Sequence, residues 1–576
     1  MRCELTRSYR PDRGAPVRGV RHSGAMKWTK ALALPAAAVA AVAVRDLTQR
    51  KHAIRRNFPV LGNLRYFLEE IGPELRQYIV TDNNSERPFS RDQRRWVYAS
   101  AKQENPYFGF GTDNDLERDE GYAVIRHRTF APVQPAVHPH AGEETPVPCA
   151  KVMGEARGRA GAFRPSSVIN VSAMSYGALS GPAVEALNRG CAEAGALHNT
   201  GEGGIAEHHR HGADLVFQIG TAYFGCRDEH GRFDLARLKD LVAANPVRAI
   251  EIKLSQGAKP GLGGLLPAAK ITEEISRIRG IPLGQDCHSP SRHAEFSDVD
   301  SMLDFVELLA TETGLPVGIK SAVGLVDMWD ELATLMARGD RGVDFVAIDG
   351  GEGGTGAAPL AFSDSVSLPF RIAFPEVYSR FARAGIADRV VWMGAGKLGL
   401  PDNAAVAFGM GVDMVYVARE AMMSIGCIQA QRCHNDQCPT GVATQHPWLV
   451  RGLDPDDKSP RAASYLRSWR REMLKLAEAC GVEHPGLMSG EMIDILLGTR
   501  SATPLWRAVG YDDPSWGLPS PAQQEQVRRL MAGAPEGGSV PPSATATATP
   551  AQHPTGSTPE QLGRRPSEII QDSTTE

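Results

Sequence analysis

The sequence lacks an excess of either charge. Its 576 residues carry 63 Lys and Arg against 67 Asp and Glu, which gives a formal net charge of −4 at pH 7. A protein that binds nucleic acid through a broad basic surface shows a different balance, so we expect no nucleic-acid partner. The remaining composition, with 42% hydrophobic and 23% charged residues, is typical of a globular protein with a large core.

The sequence also lacks an apolar run of the length that crosses a bilayer. Residues 31–44 are 14 residues long, against the roughly 20 that a transmembrane helix needs, and they include Pro35. Three interpretations remain open: a membrane anchor, the apolar region of a signal peptide, and a buried or interfacial helix. We favour a weak anchor over residues 28–44 of a cytoplasmic protein. A basic arm and this apolar segment together make up residues 1–45.

Cysteines are few and scattered. The chain has nine, an odd number, and only three of them lie close together. This distribution argues against a disulfide framework and favours a reducing compartment. Cys427, Cys433 and Cys438 are spaced C-x5-C-x4-C, without the CxxC pairs typical of zinc sites. Together with His434 they form a candidate zinc site, but we favour three thiolates on an iron–sulfur cluster.

The middle of the chain alternates strand-like and helix-like segments. Eight short apolar runs, most of them separated by amphipathic helical patterns, occupy residues 167–175, 196–201, 215–220, 249–255, 315–320, 343–349, 390–396 and 412–419. Apolar runs flanked by helices indicate buried parallel strands. Eight such units predict an α/β fold, a (β/α)8 TIM barrel, over residues 165–505. We assign a ninth run, residues 281–287, to an insertion.

Two further regions flank the predicted barrel. Residues 46–164 are mixed and polar with aromatic-rich patches, and we predict that they form an N-terminal helical extension that packs on the barrel. Residues 519–576 are rich in Pro, Ser, Thr, Ala and Gly and cannot bury a core of their own. We therefore predict that this C-terminal tail is disordered.

Polar residues fall at the ends of several predicted strands. Lys253 and Lys320 each close an apolar run, at positions where an unpaired lysine is unusual. Enzymes built on (β/α)8 barrels carry their active sites at the carboxyl ends of the strands. The sequence therefore predicts an active site on this face of the barrel.

Two glycine-rich loops follow late strands of the predicted barrel. Residues 349–359 contain a formal G-x-G-x-x-G match, but the loop follows the sixth strand and runs into a segment that we do not expect to start as a helix, so we reject a dinucleotide-binding turn. Residues 394–399, "GAGKLG", form the second loop. Such loops let backbone N–H groups approach a phosphate. With the strand-end lysines they indicate FMN, and Lys253 would place a cation near the flavin pyrimidine ring.

Two more loops belong to the same rim, "NTGEGG" at residues 199–204 and "QGAKPGLGG" at residues 256–264. Glu202, Lys259 and Arg279 are the candidates to hold a charged substrate there. A carboxylate substrate would pair with Lys or Arg.

Five motifs resemble one known family. They are "SAMSYGALS" (172–180), "NTGEGG" (199–204), "KLSQGAKPG" (253–261), "GGTGAAP" (353–359) and "CIQAQRCHNDQCPTGVATQ" (427–445). In this order, over about residues 165–480, they resemble the synthase domain of the glutamate synthase large subunit. More narrowly, they resemble the short FMN-binding glutamate synthase family proteins that have no glutaminase domain.

The resemblance implies a (β/α)8 barrel with FMN and a 3Fe–4S cluster. In the family, 2-oxoglutarate and ammonia form 2-iminoglutarate, and reduced FMN transfers a hydride to it to give glutamate. The implied FMN-binding residues are Ser175, Gln218, Lys253, Lys320, Gly350, Gly351, Gly353, Gly354, Gly356, Gly394 and Gly396. The implied catalytic residues are Glu202 and Lys253, the substrate-binding residues are Gln256, Lys259 and Arg279, and the cluster ligands are Cys427, Cys433 and Cys438.

The sequence departs from the family pattern near the substrate. Leu262 and Leu265 stand where the family has an acid and an amide, and residues 288–296 read "HSPSRHAEF" in place of a proline- and histidine-rich stretch. Another 2-oxo acid or amino acid therefore remains an alternative substrate, and a membrane-tethered redox subunit an alternative function. Because no NAD-binding domain follows the barrel, we expect electrons to come from a ferredoxin-like protein or a reductase subunit. Because no glutaminase segment precedes the barrel, we expect a separate glutaminase as a partner.

Overall fold

Parallel strands form the centre of the fold. The computed structural model describes residues 25–72, 86–112, 114–116, 119–130 and 146–533. In chain order, the strands of these residues are β1 (Ala123–Ile125), β2 (Ile169–Val171), β3 (His198–Asn199), β4 (Leu215–Ile219), β5 (Val247–Lys253), β6 (Leu265–Leu266), β7 (Cys287–His288), β8 (Val317–Ser321), β9 (Phe345–Asp349), β10 (Val391–Ala395), β11 (Met414–Val417), β12 (Ile493–Leu496) and β13 (Ala502–Pro504).

Eight of these strands close into a barrel, and the predicted fold class is confirmed. Their order around the barrel is β2-β3-β4-β5-β8-β9-β10-β11, and β11 pairs with β2 to complete the circle. All neighbouring pairs are parallel. Each strand overlaps one of the eight predicted runs. Strands β4, β8, β9 and β10 are buried along their whole length, which explains why they appear as continuous apolar runs.

Helices surround the barrel, and further helices come before its first strand and after its last strand in the chain. In chain order they are α1 (Ala25–Thr48), α2 (Ala53–Asn57), α3 (Leu61–Glu70), α4 (Arg91–Lys102), α5 (Gly181–Ala194), α6 (Leu235–Ala243), α7 (Glu273–Arg279), α8 (Val299–Thr313), α9 (Asp327–Ala337), α10 (Leu360–Ser365), α11 (Phe370–Arg383), α12 (Pro401–Met410), α13 (Arg419–Ser424), α14 (Pro447–Val450), α15 (Pro455–Cys480), α16 (Leu505–Ala508) and α17 (Pro521–Met531).

Side chains fill the interior of the barrel, so it is a core and not a pore. Phe345, Met393 and Met414 project from the strands into one buried cluster. Cys149 and Met153, which precede the first barrel strand, pack against the same cluster and are fully buried. The backbone N–H of Cys149 donates to the carbonyl of Pro165, just before β2 begins, so Cys149 and Met153 close the amino-terminal end of the barrel and leave the opposite end available for a site.

The insertion between β5 and β8 lies outside the barrel. Its strands β6 and β7 pair antiparallel, with Leu265 opposite His288 and Leu266 opposite Cys287. The ninth apolar run, residues 281–287, was correctly assigned to an insertion, but only Cys287 of that run is in a strand. Helix α7 lies between the two strands in sequence and carries Arg279 at its last position.

The N-terminal extension contacts the barrel through hydrogen bonds from its helices. Asn57, the last residue of α2, donates to the carbonyl of Leu449 at 3.0 Å, and the Tyr98 hydroxyl on α4 donates to the carbonyl of Cys427 at 2.9 Å. A separate antiparallel sheet, in the order β1-β12-β13, joins the extension to the chain that follows α15. Residues 73–85 and 131–145 of the predicted extension lie outside the described residues.

Two terminal predictions need correction. The tail predicted to be disordered from residue 519 is helical over α17, because Ser520 caps the helix with Gln523 in a reciprocal box and Val527 and Met531 are buried. Residues 534–576 lie outside the described residues, as do residues 1–24 of the basic arm. Over the described part of the chain no helix combines the length and apolarity needed to cross a membrane, so the anchor predicted over residues 28–44, an alanine-rich part of α1, is not supported.

One local prediction is also wrong. The segment after the glycine loop 349–359 was not expected to start as a helix, yet the six-residue helix α10 begins at Leu360. Pro359 precedes its first residue, a position where proline is well tolerated at a helix start. The loop nevertheless follows β9 of a closed barrel, so this helix does not create a dinucleotide-binding βαβ unit.

Candidate active site

A cavity of about 700 Å³ opens at the carboxyl ends of the barrel strands. We call it the main cavity. The predicted site residues that line it are Ser175, Glu202, Gln218, Lys253, Gln256, Lys259, Arg279, Gly351, Gly353, Gly354, Gly356, Cys427, Cys433 and Cys438. A smaller cavity of about 60 Å³ shares Gln218 and Lys253 with it and is also lined by Lys320 and Gly396. The fold thus brings together residues that are up to 263 positions apart in the chain, from Ser175 to Cys438.

Gly350 and Gly394, two predicted cofactor residues, line neither cavity. A Cβ on Gly350 would lie 2.7 Å from Cβ of Phe370, and one on Gly394 would lie 2.8 Å from the Phe370 ring. Both contacts are closer than carbon atoms tolerate. The structure therefore gives these two glycines a packing role beside Phe370, which is itself buried.

An ion pair lies on the wall of the main cavity. Lys253, the last residue of β5, places its Nζ 2.7 Å from Oε1 of Glu202 and 3.5 Å from Oε1 of Gln256. Burial alone would raise the pKa of Glu202, but the charge and hydrogen bond of Lys253, with Lys259 and Arg279 farther off, hold it below its usual value. The pair therefore presents an ionised carboxylate and an ammonium group together in a mostly buried site.

Lys259 and Arg279 are buried cations on the same wall, 7% and 6% exposed. Arg279 donates from Nη2 to the carbonyl of Tyr176 at 2.7 Å and to Oγ of Ser175 at 3.4 Å, but its buried Nε has no partner among the described residues. The ammonium group of Lys259 makes no hydrogen bond or ion pair within that same part of the chain. Burial lowers the pKa of both groups. Two buried cations with unused donors are suited to hold an anion.

A buried network that the sequence did not reveal lies below the main cavity. Oε1 of Glu251 accepts hydrogen bonds from Nε2 of Gln218 at 2.6 Å and from Nδ2 of Asn199 at 2.9 Å. Oε2 of Glu251 is buried, with no hydrogen-bond partner in the described part of the chain. Burial raises the pKa of Glu251 against the opposing effects of Lys320, Gln218 and Asn199. Only one of the two Nε2 hydrogens of Gln218 goes to Glu251, so the amide of Gln218, which lines the cavity, keeps a donor and an acceptor for a ligand.

Lys320 occupies a different environment from Lys253, although the two residues pair across β5 and β8. Its Nζ lies 3.6 Å from Oδ2 of Asp349, and both side chains are under 10% exposed. The same Asp349 oxygen accepts a hydrogen bond from the backbone N–H of Gly257 at 3.0 Å. Lys320 thus lines only the smaller cavity, where Asp349 neutralises its charge.

The late-strand glycine loops approach two cations that the sequence reasoning missed. Lys397 and Arg419 line both cavities. A Cβ on Gly354 would lie 2.6 Å from Cδ of Arg419 and would displace that side chain, whereas Gly396 has a φ of +138°, which favours glycine. Sequence position was the signal that could have identified them, since Lys397 lies within "GAGKLG" and Arg419 is the last residue of the predicted run 412–419.

The cysteine loop, residues 427–438, forms another wall of the main cavity. Cys427 and Cys433 are partly exposed and Cys438 is buried, and every cysteine in the described part of the chain is unpaired. Burial raises the pKa of Cys427 to about 12. In the described segments, no group of three or more His, Cys, Asp or Glu side chains is arranged to hold a single metal ion. His434 is exposed, which gives no support to a single zinc ion on three cysteines and a histidine.

The donor set nevertheless fits an iron–sulfur cluster. Each cysteine of such a cluster binds a different iron, so the three thiolates need not converge on one point. A cluster with its thiolates is anionic, and a cation, Lys270, lies beside the loop. Burial lowers the pKa of Lys270, and the charges of Asp436, Cys433 and Cys438 oppose that effect. Lys270 is held by the carbonyls of Ala443 and Ala178, so this positive charge is fixed beside the loop.

Comparison with known proteins identifies the family. A family model described as the conserved region in glutamate synthase matches residues 152–483, which include all eight barrel strands and the cysteine loop. The chain belongs to the glutamate synthase family. Every predicted site residue lies inside the matched region. Residues before position 152, including α4 and the segment that precedes it, lie outside the part that the glutamate synthase model matches.

Several curated glutamate synthase relatives are similar to the chain. Glutamate synthase large subunit-like protein YerD of Bacillus subtilis is 37% identical over 493 residues, which cover 80% of this chain and 93% of the relative. Archaeal glutamate synthase [NADPH] of Archaeoglobus fulgidus is 35% identical over 350 residues, covering 60% of this chain and 63% of the relative. The alignment with a solved mandelate oxidase structure covers 76% of this chain and 100% of the oxidase chain, with a TM-score of 0.39 and 15% identity. A similarity this weak supports no conclusion about this protein.

Proposed function

We propose that the chain is a glutamate synthase-like oxidoreductase that uses FMN and a 3Fe–4S cluster to reduce 2-iminoglutarate, formed from 2-oxoglutarate and ammonia, to glutamate. The observation that carries this proposal is the convergence on one cavity of the Lys253–Glu202 pair, the buried cations Lys259 and Arg279, and the three loop cysteines. Membership of the glutamate synthase family supports it.

Three features of the residues at the carboxyl end of the barrel would accommodate FMN. Gly356 on the wall of the main cavity has open space where a Cβ would lie, Gln218 lines both cavities, and Lys397 and Arg419 supply positive charge for a phosphate. When bound, FMN would supply the hydride that reduces the substrate. Lys253 would place its ammonium group beside the flavin and favour the reduced, anionic form.

The substrate would be held by the cations that have unused hydrogen-bond donors. Lys259 and Arg279 would each take a carboxylate of the 2-oxo acid, and Gln256, whose Nε2 donates to the carbonyl of Gly354 at 2.9 Å, would fix the loop between them and the flavin. A reduced imine also gains a proton on nitrogen. We assign that proton to Lys253, which shares it with Glu202 across 2.7 Å.

The three loop cysteines would hold the 3Fe–4S cluster, with each thiol losing its proton on metal binding. Electrons would come from a ferredoxin-like protein or a reductase subunit, and ammonia from solution or from a separate glutaminase. These partners are part of the proposal. They follow from the reaction, which consumes two electrons and one ammonia for each glutamate formed.

A second candidate is the reduction of another 2-oxo acid or its imine on the same scaffold. It is favoured by the leucines of the insertion. Leu265 and Leu266 both line the main cavity, and Leu262 and Leu265 are each 40% exposed. An apolar wall beside the carboxylate-binding cations would accept a substrate with an apolar side chain at lower cost than a second carboxylate.

The test is anaerobic purification followed by spectroscopy, metal analysis and assay. We expect a flavin absorption spectrum, about three irons per chain, and glutamate formation from 2-oxoglutarate and ammonium with reduced methyl viologen as electron source. A colourless, iron-free protein would refute the cofactor proposal. A coloured protein that makes no glutamate but consumes a branched or aromatic 2-oxo acid would transfer the proposal to the second candidate.

A further inference from the structure

A short segment before α4 enters the wall of the main cavity. Arg87 and Phe89 line the cavity, and Phe89 is only 1% exposed. This segment, residues 86–90, lies outside residues 152–483, which match the family model. A part of the chain beyond the family's conserved region therefore contributes side chains to the site. We call residues 86–90 the Phe89 segment.

The backbone of the Phe89 segment is clamped by a side chain of the cysteine loop. Oε1 of Gln429 accepts from the N–H of Phe89 at 3.1 Å, and Nε2 of Gln429 donates to the carbonyls of Arg87 at 3.2 Å and Phe89 at 3.3 Å. Gln429 lies between Cys427 and Cys433 in sequence, and its φ of +57° turns the chain there. The Gln429 amide thus pairs with one backbone N–H and two backbone carbonyls of the Phe89 segment, as the backbone of a neighbouring strand would.

The ring of Phe89 is flanked by two cations of the site. Cζ of Arg419 lies 5.1 Å and Nζ of Lys397 lies 5.7 Å from the ring centroid, both within the range of a cation–π contact. The ammonium group of Lys397 has no hydrogen bond or ion pair with any described residue, and Arg419 donates to the carbonyl of Glu352. The Phe89 ring is therefore the contact that the structure shows for the Lys397 ammonium group on the cavity wall.

These cations repel one another. Burial lowers the pKa of Lys397, and the charges of Arg419 and Arg87 lower it further, while Glu352 opposes them. Burial also lowers the pKa of Arg419. Glu352 forms no ion pair with either cation, and its two carboxylate oxygens share the backbone N–H of Phe370. An anion placed between the cations would relieve the repulsion, and a phosphate has the charge and the acceptor oxygens to do so.

We propose that Phe89 is a positioning residue: its ring holds Lys397 and Arg419 toward a phosphate group at the end of the main cavity, and Gln429 fixes the ring from the cysteine loop. The identity of the phosphate as that of FMN rests on the proposed function. The phosphate chemistry itself does not, because inorganic phosphate presents the same oxygens. The two parts can therefore be tested apart.

The experiment compares FMN with riboflavin, which lacks the phosphate. Dissociation constants of both are measured by flavin fluorescence on the full chain, for the wild type, Phe89→Leu and Phe89→Ala. We expect the preference for FMN over riboflavin to fall about tenfold in both variants, with riboflavin affinity within about twofold of wild type. Tyr98→Phe is the matched control, because it removes another hydrogen bond from the extension to the cysteine loop, at Cys427, without lining the cavity. Its preference for FMN should not change.

Thermal stabilisation by inorganic phosphate gives a readout that needs no flavin. If the wild type binds neither flavin but is stabilised by phosphate, and Phe89→Leu is not, the FMN proposal fails while the positioning role stands. The positioning role is overturned if Phe89→Leu keeps the wild-type FMN preference, because leucine fills the space without an aromatic face. It is also overturned if phosphate stabilises the wild type and both variants equally, or stabilises none of them.

Discussion

Glu251 provides the sharpest test of the site geometry. Its side chain is fully buried, Oε1 accepts from Gln218 and Asn199, and Oε2 has no partner among the described residues. Because burial raises its pKa, we expect a neutral carboxyl group over part of the accessible pH range. Glu251→Gln then keeps the accepting oxygen and places an NH₂ group at the position of Oε2, whereas Glu251→Ala removes the acceptor of Gln218 and the shorter of the two contacts of Asn199.

The expected magnitudes follow from those contacts. A buried donor without an acceptor costs about 1–3 kcal/mol. In Glu251→Ala, Gln218 loses the acceptor that Glu251 provides, while Asn199 retains a weaker contact with the hydroxyl of Tyr416 at 3.4 Å. We therefore expect Glu251→Ala to lower the free energy of unfolding by about 2–4 kcal/mol, before any cavity cost. Glu251→Gln should cost no more than about 1 kcal/mol where the carboxyl group is neutral.

The pH dependence has a definite sign. The pKa of Glu251 is higher in the folded chain than its usual value of 4.5. The carboxyl group therefore contributes stability that is complete below pH 4.5 and is lost as the pH rises through the folded-state pKa. The amide introduced by Glu251→Gln does not titrate. The stability of this variant relative to wild type should thus increase with pH, by up to about 1.4 kcal/mol for each unit by which the pKa is raised.

The assay is the midpoint of chemical unfolding between about pH 5 and pH 9, read by circular dichroism for wild type, Glu251→Gln and Glu251→Ala. The reasoning is refuted if Glu251→Gln is destabilised as strongly as Glu251→Ala at every pH. That result would mean that Glu251 is ionised and stabilised by Lys320, whose charge is the strongest influence that opposes burial in setting the pKa of Glu251. A difference from wild type that does not vary with pH would contradict the neutral carboxyl group in the same way.

Three further predictions concern ligands. Lys259→Met should raise the KM for 2-oxoglutarate by about 30-fold without lowering stability, since a charge-assisted hydrogen bond contributes about 2 kcal/mol. If initial-rate kinetics show the same KM for the variant and the wild type, Lys259 does not belong to the substrate site. Cys427→Ser, Cys433→Ser and Cys438→Ser should each lose the bound iron. Cys287→Ser, which changes a cysteine that also lines the main cavity, should keep its iron in metal analysis. If Cys287→Ser loses as much iron as the other three variants, the assignment of the cluster ligands is wrong. Gly354→Ala should weaken FMN binding about tenfold by displacing Arg419, 2.6 Å from the new Cβ. Gly324→Ala, with nothing within 4 Å of the new Cβ and outside both cavities, should match wild type in a fluorescence titration.

Much of the fold was predictable because burial on both faces produces a local signal. Strands such as β4 and β9 are apolar at nearly every position, and their number and separation by helices indicate a barrel. The weaker signals failed. The helix at Pro521–Met531 was taken for a disordered tail because a Pro/Ser-rich composition dominates the surrounding residues, although its reciprocal cap of Ser520 and Gln523 is visible in the sequence.

The candidate site was predictable where a residue belongs to a motif and not where only an environment defines it. Lys259 and Arg279 were predicted to hold a charged substrate, but a solvated surface charge is the more common case for any single Lys or Arg, and only the structure shows both to be buried. Gly350 and Gly394 were assigned to the cofactor with the other glycines, and their closeness to Phe370 could not be read from composition.

The barrel, the cysteine spacing and the family could all be read from the sequence, because these depend on periodicity and on residue types at short separations. Which groups share one cavity was decided by the tertiary structure. Glu251 meets Gln218 across a pair of strands, and Phe89 reaches Gln429 across 340 positions of the chain. Such contacts arise from the closing of the barrel and the return of the extension onto it, and their energies depend on burial and partner distance, which no local pattern encodes.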